Sequence, residues 1–242
     1  MPPALHPLSI FPFSLPVPMA AVAKFENRTK ILATYYKVPE SLILALAEIP
    51  ADLRKEKCRE QGIDPYIFRT MMDYSRYPQA FRIHQKLLEL RVPAKNFSVL
   101  DYGCLVADYG MYFARLGVRV ALYDKRTVAT DFARFRFARE KLKARVFPFP
   151  TDFSKMVKGR RLVIFGEVLE HLENPLGILQ ECVDQAVPFI YSSCYPFGDK
   201  HYFAMPGHSR SAEAQQADCI KLLKPHYASW ILHKREVLWQ RM

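Results

Sequence analysis

The sequence predicts an α/β fold: an open, mostly parallel β-sheet preceded by a helical N-terminal segment. Three observations carry this. Beyond Phe97, short β-branched or aromatic runs alternate with longer segments of helical spacing, the pattern of parallel strands joined by crossover helices. Before Arg91, apolar residues recur every three or four positions, as on one face of a helix. The first strand-like run, VLD, closes on Asp101 and the glycine turn at Gly103, where an open parallel sheet places its ligand.

Taken in order, the first eighteen residues hold six of the chain's 18 prolines, which forbids a regular helix and most strand pairing. Residues 1–23 are therefore expected to form a disordered Pro-rich tail. Ala21-Val22-Ala23 resembles a signal-peptidase site, but no Lys or Arg precedes it and prolines break the apolar run, so secretion is not expected. Residues 24–92 are expected as a helical cap. SLILALAEI, ADLRKEKCREQ and PQAFRIHQKLLEL supply its helices, broken at Pro39, Pro50, Pro65 and Pro78. Aromatic residues at Tyr66, Phe68, Tyr74 and Tyr77 either cover a site or pack these helices together.

Residues 93–242 are expected to form the sheet domain. Its strands are FSVLD, VRVALYD, ARVFPF, RLVIF and VPFIYSS. The helices between them are DYGMYFARL, ATDFARFRFAREKL and PLGILQECVDQ. SAEAQQADCIKLLK reads as a further helix, and YASWILH and EVLWQRM as two strands able to pair at the end.

Composition narrows the function classes. Half of the 242 residues are hydrophobic, ample for a packed core, while charges or prolines interrupt every apolar run that could span a bilayer. No membrane partner is expected. Five cysteines without a CxxC pair suggest neither a zinc knuckle nor a disulfide scaffold, and reduced thiols point to a cytoplasmic location. The net charge of +11 is spread along the chain, so a nucleic-acid partner is possible but not favoured.

Gly103 permits a positive φ or a close backbone approach, and the helix opening near Asp108 aims backbone N–H groups into the crevice. Asp124 closes the second strand, where a carboxylate can accept from both hydroxyls of a ribose. Neither G-x-G-x-x-G nor G-x-x-x-x-G-K-[ST] occurs, so the nucleoside expected there carries no pyrophosphate.

VLDYGC, ALYD and LVIFGEVLEHLENP resemble the class I S-adenosylmethionine-dependent methyltransferases over roughly residues 97–193. The resemblance implies a Rossmann-like sheet of seven strands, the last two a hairpin, and S-adenosylmethionine as cofactor. Carried over by position, it puts Asp101 and Gly103 near the methionine end, with Tyr102 and Cys104 beside them, and Asp124 on the ribose, with Lys125 following. Asp152 would meet the adenine amino group, Phe153 the adenine face, and Glu167 the border between cofactor and acceptor.

The chain departs from that family's D-x-G-x-G-x-G loop, reading D-Y-G-C-L-V-A. A left-handed backbone at Leu105 would cost on the order of 1–2 kcal/mol, and Ala107 adds one methyl group. A second departure, Arg160 and Arg161 at the start of the fourth strand where the family often has an acid, carries little weight. A degenerate, non-catalytic binding protein is thus the alternative to an enzyme.

For the reaction, His171 is the candidate catalytic base, being of a type that titrates near neutrality and following the fourth strand; its other reading is a histidine bonding the loop. His201 and His208 could also reach the acceptor. The run Glu167, Glu170, His171 is similar to that of metal-dependent methyltransferases acting on the terminal ribose of small RNAs, but it is frequent in metal-free members and no metal is expected. The [NDS]-P-P-[YFW] of base-nitrogen methylation is absent after the fourth strand, and YPF at 195–197 follows the fifth. A small-molecule acceptor is left by elimination.

Overall fold

The structure is a computed structural model that describes residues 27–73, 75–93, 95–194 and 208–242. The expected tail, residues 195–197 and His201 lie outside the described residues.

Local signals account for the helices at the N-terminal end. Helix α1 (Arg28–Tyr36) opens on Asn27, whose side chain accepts from the Lys30 N–H at 2.9 Å. Pro39 and Pro50 stand directly before α2 (Glu40–Glu48) and α3 (Ala51–Glu60), where a fixed φ feeds the first turn. Asp64 accepts from the N–H groups of Tyr66 and Ile67, both at 2.9 Å, at the start of α4 (Pro65–Asp73). Helix α5 (Tyr77–Glu89) carries Pro78 in its first turn. Ile31, Leu32, Ile43, Ile67, Phe68 and Met71 of α1, α2 and α4 form one buried cluster, which also takes in Val106 and Phe132 from the sheet domain.

The strands are β1 (Ser98–Tyr102), β2 (Arg119–Tyr123), β3 (Ala144–Val146), β4 (Leu162–Gly166), β5 (Phe189–Ser193), β6 (Tyr227–His233) and β7 (Glu236–Arg241). They form one sheet in the order β3-β2-β1-β4-β5-β7-β6. The first five are parallel, while β7 runs antiparallel to both β5 and β6. The seven strands and closing hairpin match the expectation. Helices α6 (Asp108–Arg115), α7 (Thr127–Arg139), α8 (Phe153–Val157), α9 (Pro175–Asp184), α10 (Arg210–Ala214) and α11 (Gln216–Leu223) connect them, with a 3-10 turn at Leu169–His171.

Successive strand residues feed opposite faces. Val99, Val120, Leu122 and Ile164 pack with α5, α6 and α7, whereas Leu100, Ala121, Val163 and Phe165 pack with α8, α9 and α11. Burial on both faces explains why these strands read as continuous apolar runs. Strand order reverses between β1 and β4, so the loops leaving their carboxyl ends open a crevice at the switch point. Among the described residues, no helix is long and apolar enough to cross a membrane.

Candidate functional site

The loop between β1 and α6 is tied down by its backbone. Gly103 and Cys104 donate their N–H groups to the Tyr123 carbonyl at 2.7 and 2.9 Å, fastening the turn to the end of β2. Gly103 has φ +71°, Leu105 +44° and Ala107 +60°, so both positions lacking the expected glycine adopt left-handed backbone. The Leu105 side chain packs against the cluster of α1–α4, and Val106 is buried within it.

A fully buried carboxylate secures the end of this loop. Asp108 meets Arg28 of α1 at 2.7 Å and Arg136 of α7 at 2.9 Å, and accepts from the Arg76 N–H at 3.0 Å. Burial alone would raise its pKa, but the two guanidinium groups and their hydrogen bonds outweigh that and hold it below the usual carboxylate value. Arg136 also donates to the Val106 carbonyl.

Two candidate acids turn out to be internal. Asp101 is buried against α6, accepting from the Gly110 N–H at 2.9 Å; desolvation pushes its pKa up to about 8, only partly offset by that bond. Asp124 is 7 % exposed and accepts from Leu105 N–H at 3.0 Å and Arg126 N–H at 2.9 Å. Burial raises its pKa too. Lys125 is exposed beside it.

The remaining candidates divide between two hollows. The smaller, about 410 Å³, is lined by Tyr102, Asp152, Phe153, Leu172, Asn174 and Ile178 among others. Tyr102 stacks on Tyr123 with ring centroids 5.0 Å apart and meets Phe153 edge-on at 5.2 Å. Asp152 caps α8, accepting from Ser154 N–H at 3.2 Å. The larger, about 760 Å³, lies between α3 and α4 on one side and the loops after β1 and β4 on the other. Gly103, Cys104, Glu167 and His171 line it, joined by Glu170 and His208.

The two hollows meet in sequence at the Tyr102–Gly103 bond. There the Val168 side chain lies against Gly103 so closely that a Cβ at Gly103 would be 2.5 Å from Val168 Cγ2. Only glycine fits.

In the loop after β4, Glu167 has φ +56° and donates its N–H to Ser193 Oγ at 2.9 Å. Its carboxylate receives both guanidinium nitrogens of Arg76, at 2.7 and 2.5 Å, a bidentate pair that raises the Arg76 pKa despite its desolvation. His171 is exposed on the 3-10 turn, its ring 4.8 Å from that of His208. Ser209 donates its N–H to the Glu170 carbonyl at 2.7 Å, holding the segment before α10 on that turn.

Sequence reasoning missed Arg76, Asp108 as an ion-pair centre, and Val168. Arg76 stands in no motif and its partner is 91 residues away.

No protein-family model matches the chain, and no curated protein matches it. Solved structures do. The magnesium protoporphyrin IX methyltransferase (ChlM) of Synechocystis PCC 6803, with bound SAH, superposes with TM-score 0.50 at 14 % identity, over 68 % of this chain and 83 % of that one. Monomeric WbdD gives TM-score 0.50 at 14 % identity, over 72 % of this chain and 43 % of that one. The N-terminal domain of EvdMO1 with SAH bound gives 0.49 at 14 % identity, over 67 % and 81 %. With the strand order, the first of these establishes that this chain has the class I S-adenosylmethionine-dependent methyltransferase fold.

Proposed function

We propose that the protein is an S-adenosylmethionine-dependent methyltransferase whose acceptor, a small molecule, occupies the 760 Å³ cavity beneath α3 and α4. One observation carries the reading. An aromatic hollow containing an acid and a larger cavity lined by several charged residues lie on either side of the Tyr102–Gly103 bond, over the ends of β1 and β4, as a nucleoside with a polar tail would require.

The residues present fit such a ligand. Tyr102 and Phe153 offer rings and Asp152 a carboxylate to a purine. Asp124 uses two of the roughly four acceptor positions of a carboxylate on backbone N–H groups, leaving capacity for ribose hydroxyls once the loop admits them. Gly103, Cys104 and Glu167 border the methionine end, where a rotation of the Val168 side chain away from Gly103 would join the two hollows. When bound, S-adenosylmethionine supplies an electrophilic methyl group.

The chain itself supplies alignment and proton handling. Helices α3 and α4 wall the cavity, restricting both the acceptor's orientation and its water. Arg76 fixes the Glu167 carboxylate at the border between the two ligands. His171, on the wall beside His208, accepts the proton of an acceptor hydroxyl or amine.

A second reading, a binding protein without turnover, is favoured by one observation: the Asp124 carboxylate is already engaged by its own chain. Calorimetric titration with S-adenosylmethionine separates the two from the outset. Micromolar binding, with production of S-adenosylhomocysteine from an extract, is expected. Absence of heat at high micromolar ligand, in both the wild type and Leu105→Gly, overturns the proposal.

A further inference from the structure

We infer that Arg119, Arg145 and Arg160, on the side of the sheet that α8 covers, form a binding site for a soluble anion with two or more linked phosphate groups. The strand register brings them together. Arg145 of β3 pairs with Ala121 of β2, and Arg119 stands two residues before Ala121, so these two arginine side chains project from the same face of the sheet. Arg160 reaches that face from the residues between α8 and β4, where its Nε donates to the Met156 carbonyl at 3.0 Å. One ring gathers the charges: the guanidinium carbons of Arg145 and Arg160 lie 4.4 and 5.9 Å from the centroid of Phe147.

Among the described residues, none of the three has an acidic partner. Arg119 donates to the Asn96 carbonyl at 3.1 Å, Arg160 uses its Nε, and the Arg145 side chain makes no hydrogen bond. By contrast, Arg76, Arg82 and Arg115 each meet a carboxylate at 2.5 Å. Between Lys141 and Arg161 the sequence holds seven lysines and arginines against one acid, Asp152, and that acid caps α8 and lines the aromatic hollow. Burial, then the like charges of Arg145 and Arg119, lowers the Arg160 pKa, as befits cations crowded without a counter-charge.

The donor chemistry selects the anion. Guanidinium groups present planar forks of N–H donors that match phosphate oxygens two at a time. A single phosphate monoester carries about two negative charges at neutral pH, fewer than the three guanidinium groups, whereas linked phosphates match them. Lys143, Lys155 and Lys158, all exposed, flank the trio in sequence and add to the attraction. The charges converge on one ring rather than running as a stripe, which favours a compact polyanion over a nucleic-acid strand. Arg119 opens β2 and Arg160 stands two residues before β4, so the site lies toward the amino ends of these strands, away from the crevice, and is independent of the function proposed above. It also gives a use to Arg160, one of the two arginines standing where the resembled family often has an acid.

The test titrates the full chain with inorganic tripolyphosphate by calorimetry at about 0.15 M salt, where attraction between distant exposed charges is screened. One equivalent is expected to bind, at least about tenfold more weakly in Arg145→Ala and in Arg160→Gln. Lys30→Ala on α1, which removes a positive charge elsewhere, is expected to bind as the wild type does. Circular dichroism establishes that each variant is folded, and Arg145→Ala, which removes an exposed side chain without a hydrogen bond, serves if Arg160→Gln is not. Absence of saturable heat, or equal affinity in wild type and Arg145→Ala, overturns the site. Binding of a single-stranded RNA oligonucleotide or of phosphatidylserine vesicles in place of tripolyphosphate, with the same dependence on Arg145, overturns the assignment of the ligand and makes the trio a docking surface for that macromolecule or membrane.

Discussion

The loop after β1 and the loop after β4 both hold non-glycine residues in left-handed backbone, and they do so by opposite means. In the first, Leu105 and Val106 turn their side chains into the helices of the N-terminal segment, and Asp108 clamps the loop's end through two guanidinium groups and a backbone N–H. In the second, Glu167 is held by Arg76 at its carboxylate and by Ser193 at its N–H, with Glu170 and His171 following it along the cavity. One loop spends its side chains on packing, the other displays them. The first missing glycine therefore has a structural use: Leu105, which stands in its place, packs on the preceding helices and offsets backbone strain of about 1–2 kcal/mol.

Breaking the first loop should produce the largest effect. Asp108→Ala leaves Arg136 buried without its carboxylate, and a loss of about 3–5 kcal/mol is expected in urea unfolding. A loss below about 1 kcal/mol would mean the clamp does not hold the loop.

Glycine substitutions sharpen the contrast. Leu105→Gly relieves the strained backbone but removes an anchor; because Leu105 is only half-buried, its packing contributes less than the roughly 1.5–3 kcal/mol of full burial, and a net loss of no more than about 1 kcal/mol is expected. Ala107→Gly, which removes one methyl group at a strained position, should stay within about 0.5 kcal/mol of wild type. If Leu105→Gly were stabilising, the anchor would be dispensable.

The last expected effect is one of pH. Asp101 has a folded pKa near 8, above its unfolded value, so the folded state binds the extra proton between about pH 4 and 8. Its contribution to stability is complete below that window and lost as pH rises through it. Thermal unfolding of Asp101→Asn, which keeps an acceptor for the Gly110 N–H, should show a shallower fall from pH 5 to 8.5 than the wild type. Parallel profiles would place the proton elsewhere.

Most of the fold was legible because its determinants are local or periodic. VRVALYD and YASWILH announce β2 and β6 by residue type, and the helical runs do so by spacing. Short elements were not legible: α8 has five residues and the turn at Leu169–His171 three, too few for a period to register. At the site, Gly103 and Asp124 could be found because turn and strand end mark them. Whether a carboxylate faces a ligand or its own backbone is set by tertiary packing. Asp101 and Asp124 are alike in sequence context, yet one is sealed against α6 and the other clasped by the neighbouring loop.

The three-way clasp at Asp108 limits how a guest can arrive. Swinging the N-terminal helices aside would take the Arg28 guanidinium and the Arg76 N–H from a buried carboxylate and leave it Arg136 alone, so entry by wholesale opening carries an energetic penalty. Tyr66 and Lys55, exposed side chains that line the cavity with the ammonium 5.6 Å from the ring centroid, can turn without breaking that clasp.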